Sequence, residues 1–175
     1  MRLRPDLFVA SLLQIDVDTL AKEEIKGVLC DLDNTMLPYN EMNINQALAQ
    51  WVNGFLGNGF RFAIVSNNHV PRVLPVAEAL HVAGYADVHK PFVRILRDII
   101  KSWEIPPKQI AVIGDQLFTD VMAGNRLGCY TVLVTPLTNV EFAGTRLMRI
   151  AERRTLQHMQ RTYAEKNRTA TNHLG

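Results

Sequence analysis

Cysteine is scarce, with Cys30 and Cys129 the only two in 175 residues. Small secreted domains that depend on disulfides carry larger, even sets of cysteines, so the chain does not fit that class. Each of the two lies in an apolar run that is typical of a buried strand. We therefore expect free thiols and a reducing, cytoplasmic setting.

Long apolar runs are missing as well. Arg2 and Arg4 precede a short apolar stretch, but Asp6, Asp16 and Asp18 interrupt it. A signal peptide would need a longer apolar region and a cleavage site of small residues. No run approaches the roughly 20 residues that a membrane-spanning helix requires. The sequence thus predicts neither a secreted nor a membrane-spanning protein.

A strong charge of either sign is also absent. The net charge is +2, and the 47% hydrophobic and 21% charged residues are ordinary for a globular protein. Nucleic acid is therefore not expected as a partner of the whole molecule. Without repeats or low-complexity segments, the length fits one domain. We expect this domain to cover residues 1–145, with segment 1–25 packed on it, and residues 146–175 to form a basic tail.

Short apolar runs alternate with amphipathic patterns along the middle of the chain. The apolar runs predict strands over 26–32, 60–66, 85–88, 110–115 and 130–134. The amphipathic patterns predict helices over about 44–56, 71–83, 92–103 and 119–127. Asn43 is expected to cap the first helix, Gly84 to close the second, and a stripe from Phe92 to Trp103 to bury the third. This alternation indicates an α/β fold, a doubly wound, Rossmann-like three-layer sandwich with a mostly parallel sheet.

Unusual polar residues follow four of the predicted strands. They are Asp31, Asp33, Asn34 and Thr35 after the first, Ser66 and Asn67 after the second, Lys90 after the third, and Asp115 and Asp120 after the fourth. Ligands of such sheets bind beyond the carboxyl ends of the strands, where the strand order reverses. These side chains are therefore expected to share one edge of the sheet.

Four aspartates on one edge repel each other unless a cation neutralises them or some stay protonated. Hard oxygen ligands favour Mg²⁺, which keeps positions open for phosphate oxygens. Lys90 adds a point charge that suits a phosphoryl group, and Ser66 adds a further polar contact. Together these groups predict a site that stabilises charge on a transferring phosphoryl group.

The four motifs, in this order and at these strand ends, resemble those of the haloacid dehalogenase-like (HAD) phosphatase superfamily. The resemblance covers about residues 26 to 135. It implies that Asp31 is a nucleophile that forms an aspartyl phosphate, and that Asp33 is the general acid and base. It also implies that Lys90 and Ser66 hold the phosphoryl group, with Asn34, Thr35 and Asn67 lining the phosphate-binding loops.

The same resemblance implies the metal ligands. Asp31 and Asp115 would bind Mg²⁺ through their side chains and Asp33 through its backbone carbonyl, while Asp120 would hold the water shell of the metal. For Asp120 a helix-start acid is the competing interpretation. His69 and His89 flank the site, and a structural or incidental role is favoured for both.

The spacing of the motifs narrows the resemblance. About thirty residues separate the first two motifs and about two dozen the next two, which leaves no room for an inserted cap domain. The chain is therefore similar to the capless subfamily III. Its Asp-Leu-Asp-Asn-Thr-x-Leu-Pro, Ser-Asn-Asn and Pro-Asp-Leu-Phe motifs resemble the YqeG branch, which is similar to the phosphatidylglycerophosphate phosphatases of fungal mitochondria and plants. The flap beside the site, residues 39–42, matches no pattern of the family, so it leaves the substrate open.

The C-terminal segment from Arg146 to Arg168 carries seven basic and two acidic residues, a local charge of +5. One interpretation is a solvated helix that frays into a tail. The other is weak peripheral docking on an anionic membrane, with apolar contacts from the N-terminus. The N-terminal side chains considered for these contacts are Leu7, Phe8, Leu12 and Leu13.

Several functions fit these observations. The first is a phosphomonoester hydrolase that acts on phosphatidylglycerophosphate or another membrane-presented phosphate. The second is a soluble sugar or nucleotide phosphatase whose lid comes from a neighbouring subunit of an oligomer. A phosphotransferase differs from these only in its acceptor. The last is a binding module that senses phosphate without turnover, although such a module would not need the general acid Asp33.

Overall fold

A computed structural model of the protein describes residues 3–39 and 41–138. Its centre is one sheet of six parallel strands in the order β1-β6-β5-β2-β3-β4. The strands are β1 (Leu7–Val9), β2 (Gly27–Cys30), β3 (Arg61–Val65), β4 (Ala83–Tyr85), β5 (Ile110–Gly114) and β6 (Tyr130–Val134). The chain runs outward from β2 to β3 and β4, and then returns to place β5 on the other side of β2. The strand order therefore reverses between β2 and β5.

Among the described residues, five α-helices cover the two faces of this sheet. They are α1 (Val17–Lys22), α2 (Gln46–Gly57), α3 (Val70–Ala79), α4 (Arg94–Trp103) and α5 (Met122–Leu127). Successive strand residues point to opposite faces, so Val28 and Cys30 pack with residues of α1, α2 and α3, whereas Leu29 packs with residues of α4 and α5. The predicted three-layer α/β sandwich with a parallel sheet is confirmed. The connections from β2 to β3 and from β3 to β4 each carry one α-helix, and the described residues form no cap domain between them.

Two predicted helix ends were wrong. The N-cap of α2 is Asn45 rather than Asn43, because the Asn45 side chain accepts a hydrogen bond from the backbone N–H of Leu48 at 2.8 Å. Gly84 does not close α3, which ends at Ala79, but lies inside β4. A Cβ at Gly84 would come within 2.6 Å of the Cβ of Ala77. The glycine therefore permits close packing of β4 against α3.

The predicted third strand and the helix after it also began elsewhere. β4 covers Ala83–Tyr85 rather than 85–88, and α4 begins at Arg94. Phe92, which was expected in the buried stripe, is 72% exposed in the loop between them. The predicted helix over 119–127 is a wide π-type turn, Leu117–Val121, that leads into α5. Such turns are frequent at functional sites.

The N-terminal segment contributes an edge strand that the sequence pattern did not predict. β1 pairs with β6, and the Asp6 carboxylate just before it accepts hydrogen bonds from the backbone N–H and the hydroxyl of Thr131, both at 2.9 Å. Asp6 of the Pro-Asp-Leu-Phe motif thus attaches this segment to the sheet. Leu12 is buried and Leu13 is 47% exposed. Leu12 is therefore unavailable for the lipid contact considered for it.

Within the described residues, no helix is both long enough and apolar enough to cross a bilayer. Both cysteines are free and buried. Burial raises the pKa of Cys129 to about 12 and that of Cys30 well above its ordinary value. The basic tail over 146–175, with its two interpretations, lies outside the described residues.

Candidate active site

The predicted site residues meet at the carboxyl ends of β2, β3 and β5. Asp31 follows β2 directly, Ser66 follows β3 and Asp115 follows β5. Because β2 pairs with both β3 and β5, these strand ends lie side by side. The site occupies the reversal of strand order, as expected for a doubly wound sheet.

Four of these residues form a group that we call the inner cluster: Asp31, Lys90, Asp115 and Asp120. The Lys90 ammonium lies 2.7 Å from Asp31 Oδ1 and 2.6 Å from Asp120 Oδ1, and it donates a hydrogen bond to the backbone carbonyl of Val65 at 2.8 Å. The side chains of Lys90 and Asp120 are each 2% exposed. Both are therefore held almost entirely away from water.

The charges of the inner cluster do not balance. Burial raises the pKa of Asp31, and Asp120 and Asp33 raise it further, although Lys90 opposes them. Burial alone would lower the pKa of Lys90, but the carboxylates of Asp120 and Asp31 outweigh it, and that pKa lies above its ordinary value. Three carboxylates against one ammonium leave a formal charge of −2 when all are ionised. A divalent cation would neutralise that charge.

The donor set fits such a cation. Asp31, Asp115 and Asp120 each offer a carboxylate oxygen, and these oxygens lie within 4.8 Å of one another. The Oδ1 of Asp120 is buried and lies 2.6 Å from the Lys90 ammonium. All the side-chain donors are hard oxygens, which suit Mg²⁺ better than a soft metal.

Asp120 is fixed by the turn that carries it. Its Oδ2 accepts hydrogen bonds from the backbone N–H of Gln116 at 3.1 Å and from the Thr119 hydroxyl at 3.3 Å. A Cβ on Gly114 would overlap this carboxylate. Glycine at the end of β5 therefore makes the room that Asp120 needs. Asp120 lies in the π-type turn rather than at a regular helix N-terminus, where it had been expected.

Three of the predicted site residues, Asn34, Thr35 and Ser66, lie in the loops beside the inner cluster and are buried. Thr35 donates to Asp115 Oδ1 at 3.5 Å. Asn34 adopts a left-handed conformation at φ 62°, and its Oδ1 accepts from the Thr138 hydroxyl at 2.7 Å. The Ser66 hydroxyl accepts from the backbone N–H of Asn68 at 3.0 Å. These contacts order the loops around Asp31.

Asn67, which is expected to line the phosphate-binding loop, contacts the backbone of Lys90 through its side chain. Its Nδ2 donates to the Lys90 carbonyl at 2.9 Å, and its Oδ1 accepts from the Lys90 backbone N–H at 2.6 Å. Both ends of the amide are therefore engaged. The side chain therefore holds the loop that presents the lysine.

Asp33 belongs to a second group, which we call the outer cluster: Asp33, Asn68 and Arg72. Asp33 Oδ1 accepts from Arg72 Nε at 2.9 Å, and Oδ2 accepts from Asn68 Nδ2 at 3.1 Å. Neither Arg72 nor Asn68 was singled out from the sequence. The available signal was an arginine in the first turn of the helix that follows the second motif.

The two flanking histidines remain outside the clusters. The His69 side chain is 80% exposed, and its Nδ1 lies 2.6 Å from Asp87 Oδ1. His89 is exposed as well, in a left-handed conformation at φ 58°. Neither contacts the carboxylates of the inner cluster through any described hydrogen bond or ion pair.

The parallel sheet and the acidic edge at its reversal define a hydrolase of the HAD class, and a HAD-hydrolase-like family model matches residues 88–141. The probable phosphatase YqeG of Bacillus subtilis strain 168 is 34% identical over 157 residues, which cover 90% of this chain and 91% of the relative. The chain therefore belongs to the YqeG family of HAD-type phosphatases.

Two further relatives are larger proteins. A phosphatidylglycerophosphate phosphatase of Arabidopsis thaliana is 27% identical over 78% of this chain, and one of Chlamydomonas reinhardtii is 30% identical over 77%. The chain spans 42% and 53% of their lengths. Among solved structures, the deoxy-D-mannose-octulosonate 8-phosphate phosphatase of Haemophilus influenzae gives a TM-score of 0.53 at 16% identity, covering 64% of this chain and 69% of that one. This last likeness supports the fold.

Proposed function

We propose that the protein is a Mg²⁺-dependent phosphomonoester hydrolase that forms an aspartyl phosphate on Asp31. The observation that carries the proposal is the inner cluster. A carboxylate at a strand end contacts a buried ammonium at 2.7 Å, beside two further carboxylates within 4.8 Å. Such a cluster combines a nucleophile with positive charge for the phosphoryl group.

In the first step, an oxygen of Asp31 attacks phosphorus and forms an O–P bond while the bond from phosphorus to the leaving oxygen breaks. Asp33, in its protonated form, donates its proton to that oxygen, so an alcohol leaves. Lys90 and the loop after Ser66 hold the phosphoryl oxygens. The products of this step are the alcohol and the phosphorylated aspartate.

In the second step, Asp33 takes a proton from a water molecule as the water oxygen bonds to phosphorus. The bond from phosphorus to Asp31 breaks and releases inorganic phosphate. Asp33 is again protonated and Asp31 is again a free carboxylate, so the cycle closes without any other reactant. Asp33 thus serves as the general acid of the first step and as the general base of the second.

The residues that would hold Mg²⁺ are Asp31 and Asp115 through their side chains and Asp33 through its backbone carbonyl. Asp120 would hold the water shell of the metal through its Oδ1. When bound, the ion supplies positive charge that offsets the negative charge of the phosphoryl group and of the aspartates.

The first experiment tests hydrolysis itself. The purified protein should release phosphate from p-nitrophenyl phosphate with Mg²⁺, stop in EDTA, and recover when Mg²⁺ is added in excess. Asp31→Asn should lower kcat by about 10³-fold or more, because the nucleophile is lost. Asp98→Asn, an exposed aspartate on α4, is the matched control. A wild-type phosphoprotein that hydroxylamine cleaves would support the acyl phosphate, and equal turnover in EDTA would contradict the metal requirement.

We further propose that the substrate is phosphatidylglycerophosphate or a similar lipid phosphate presented by a membrane. The names of the two plant and algal relatives support this choice. So do exposed apolar side chains in segments that follow the carboxyl ends of β2, β3, β4 and β6. These are Met42 at 47%, Val70 at 50%, Phe92 at 72% and Leu137 at 48% exposure. Apolar side chains around an open site suit contact with a lipid surface.

The second experiment compares phosphatidylglycerophosphate in anionic vesicles with soluble sugar and nucleotide phosphates. The lipid should be the better substrate, and Phe92→Ser should lower kcat/KM about tenfold on vesicles, a part of the roughly 2 kcal/mol that burial of a phenylalanine contributes. On a soluble substrate the same variant should match the wild type. If the protein forms an oligomer, does not bind vesicles and hydrolyses a soluble ester faster than the lipid, the alternative function of a sugar or nucleotide phosphatase would be favoured instead.

A further inference from the structure

Arg72 is a charged side chain that the proposed steps do not use. It lies in the first turn of α3, and its side chain is 12% exposed. Its Nε donates to Asp33 Oδ1 at 2.9 Å and its Nη2 to the Pro38 carbonyl at 3.1 Å. Its Nη1 contacts the Glu41 carbonyl and, at 2.8 Å, Met42 Sδ. One guanidinium therefore joins the proposed general acid to the flap and to the residue before it.

The carboxylate of Asp33 is held from two sides. Arg72 binds one oxygen, and Asn68 binds the other at 3.1 Å. Both donors come from the segment that follows β3. This segment therefore sets the rotamer of the Asp33 side chain, and β2, the strand that precedes Asp33 in the sequence, does not.

Asp33 also stands apart from the inner cluster. The three carboxylate oxygens that could share a metal belong to Asp31, Asp115 and Asp120. The direction of the Asp33 side chain is therefore not set by that group of carboxylates. Its reach toward a leaving oxygen depends on where Arg72 and Asn68 place it.

The contacts of Arg72 require a guanidinium. A planar fork can donate to a carboxylate and to backbone carbonyls at the same time, in fixed directions. A lysine carries a compact ammonium on a flexible stem and cannot reproduce that spread. Loss of Arg72 would free one oxygen of Asp33, while Asn68 would still hold the other, and it would free the flap at the same time.

We propose that Arg72 is a positioning residue that couples the general acid Asp33 to flap residues Glu41 and Met42. The proposal rests on the proposed function, because it assigns Arg72 a part in protonating the leaving oxygen. Flap residues Glu41 and Met42 and the acid then move as one unit. A substrate that displaces the flap thereby also shifts Asp33.

The test uses two substrates that differ in their need for an acid. Glycerol 3-phosphate must receive a proton as its alkoxide leaves, whereas p-nitrophenyl phosphate releases a stable anion. The ratio kcat/KM reports the steps up to the departure of the leaving group. Because general acid catalysis contributes about 10²–10⁴-fold, Arg72→Met should lower kcat/KM about 30-fold for the alkyl ester and about threefold or less for the aryl ester. An equal loss for both esters would overturn the proposal.

A double variant distinguishes an effect of Arg72 that acts through Asp33 from a direct effect of Arg72 on the substrate. On an Asp33→Asn background, Arg72→Met should lower kcat/KM for glycerol 3-phosphate by less than about twofold, since coupled residues are not additive. Full additivity would mean that Arg72 acts on the substrate directly, and would contradict a positioning role. Arg72→Lys with wild-type values for both esters would also contradict it, because charge alone would then suffice.

A measurement without turnover keeps this inference separate from the proposed function. Hydrogen exchange at the amides of Glu41 and Met42 should be faster in Arg72→Met than in the wild type, while the core of the sheet is unchanged. Arg97→Met, an exposed arginine on α4, is the matched control and should change neither exchange nor kinetics. If the wild type hydrolyses neither ester, the proposed function fails, and hydrogen exchange alone tests the contact between Arg72 and the flap. Exchange rates at Glu41 and Met42 that are the same in Arg72→Met and in the wild type would then overturn that contact.

Discussion

The inner and outer clusters lie at the same edge of the sheet but are held in different ways. The inner cluster pairs Lys90 with Asp31 and Asp120 at 2.7 and 2.6 Å, and the lysine is 2% exposed. The outer cluster pairs Arg72 with Asp33 at 2.9 Å, and these side chains are 12% and 16% exposed. The inner partners are fixed near the ends of strands or in the turn after β5. In the outer cluster, Arg72 comes from the first turn of α3 and contacts the flap, and Asn68 comes from the loop just before that helix.

This difference matches the role that we propose for each cluster. Moving a charge of the inner cluster would leave a buried carboxylate or ammonium unpaired, which costs several kcal/mol. At 12% and 16% exposure, the outer pair is somewhat nearer to water than Lys90 and Asp120 at 2% each, so rearranging it should cost less. A nucleophile benefits from a fixed position, while an acid and base must reach a leaving oxygen first and a water molecule later. The proposed roles thus require a more tightly fixed inner cluster than outer cluster.

The largest expected effect is that of removing the inner ammonium. Lys90→Met leaves Asp31 and Asp120 buried without their cation, so in EDTA the free energy of unfolding should fall by about 3–5 kcal/mol. Urea denaturation of this variant beside Arg72→Met measures the difference between the clusters. The arginine variant should lose clearly less. Equal losses would show that the two clusters are held alike.

A second substitution checks the cause of that loss. Adding Asp120→Asn to Lys90→Met removes one of the two buried carboxylate charges that have lost their cation, so part of the lost free energy of unfolding should be recovered. Mg²⁺ should also stabilise Lys90→Met, since a cation that binds only the folded state raises the free energy of unfolding. A double variant that is less stable than Lys90→Met would contradict a charge-based explanation.

The inner cluster could be predicted from sequence because its positions follow from the strands. An apolar run that ends in an acid places that acid at the strand end, and parallel strands bring such ends together. The positions of Asp31, Ser66 and Asp115 required no knowledge of side-chain packing. Lys90 lies in a loop rather than at a strand end, so its place in the series of motifs, and not the hydrophobic periodicity of a strand, identified it as a site residue.

The outer cluster and the N-terminal strand could not be predicted in this way. Arg72 meets Asp33 across 39 positions of sequence, and an arginine in a first helical turn usually faces solvent. β1 has three residues, too few for a strand periodicity to be recognised, and it is held partly by Asp6 and Thr131. In both cases the deciding contacts join a side chain to a partner far along the chain, and no local pattern records such a pair.

The smallest expected effects separate two adjacent asparagines that serve different clusters. Asn67→Ala removes two hydrogen bonds to the backbone of Lys90, each contributing about 1 kcal/mol. Because both esters present the same phosphoryl group to Lys90, kcat/KM should fall by a similar factor for glycerol 3-phosphate and p-nitrophenyl phosphate. Asn68→Ala removes the bond to Asp33 Oδ2, so a loss of about threefold should fall mainly on the alkyl ester. The same substrate dependence in both variants would erase the functional distinction between the inner and outer clusters.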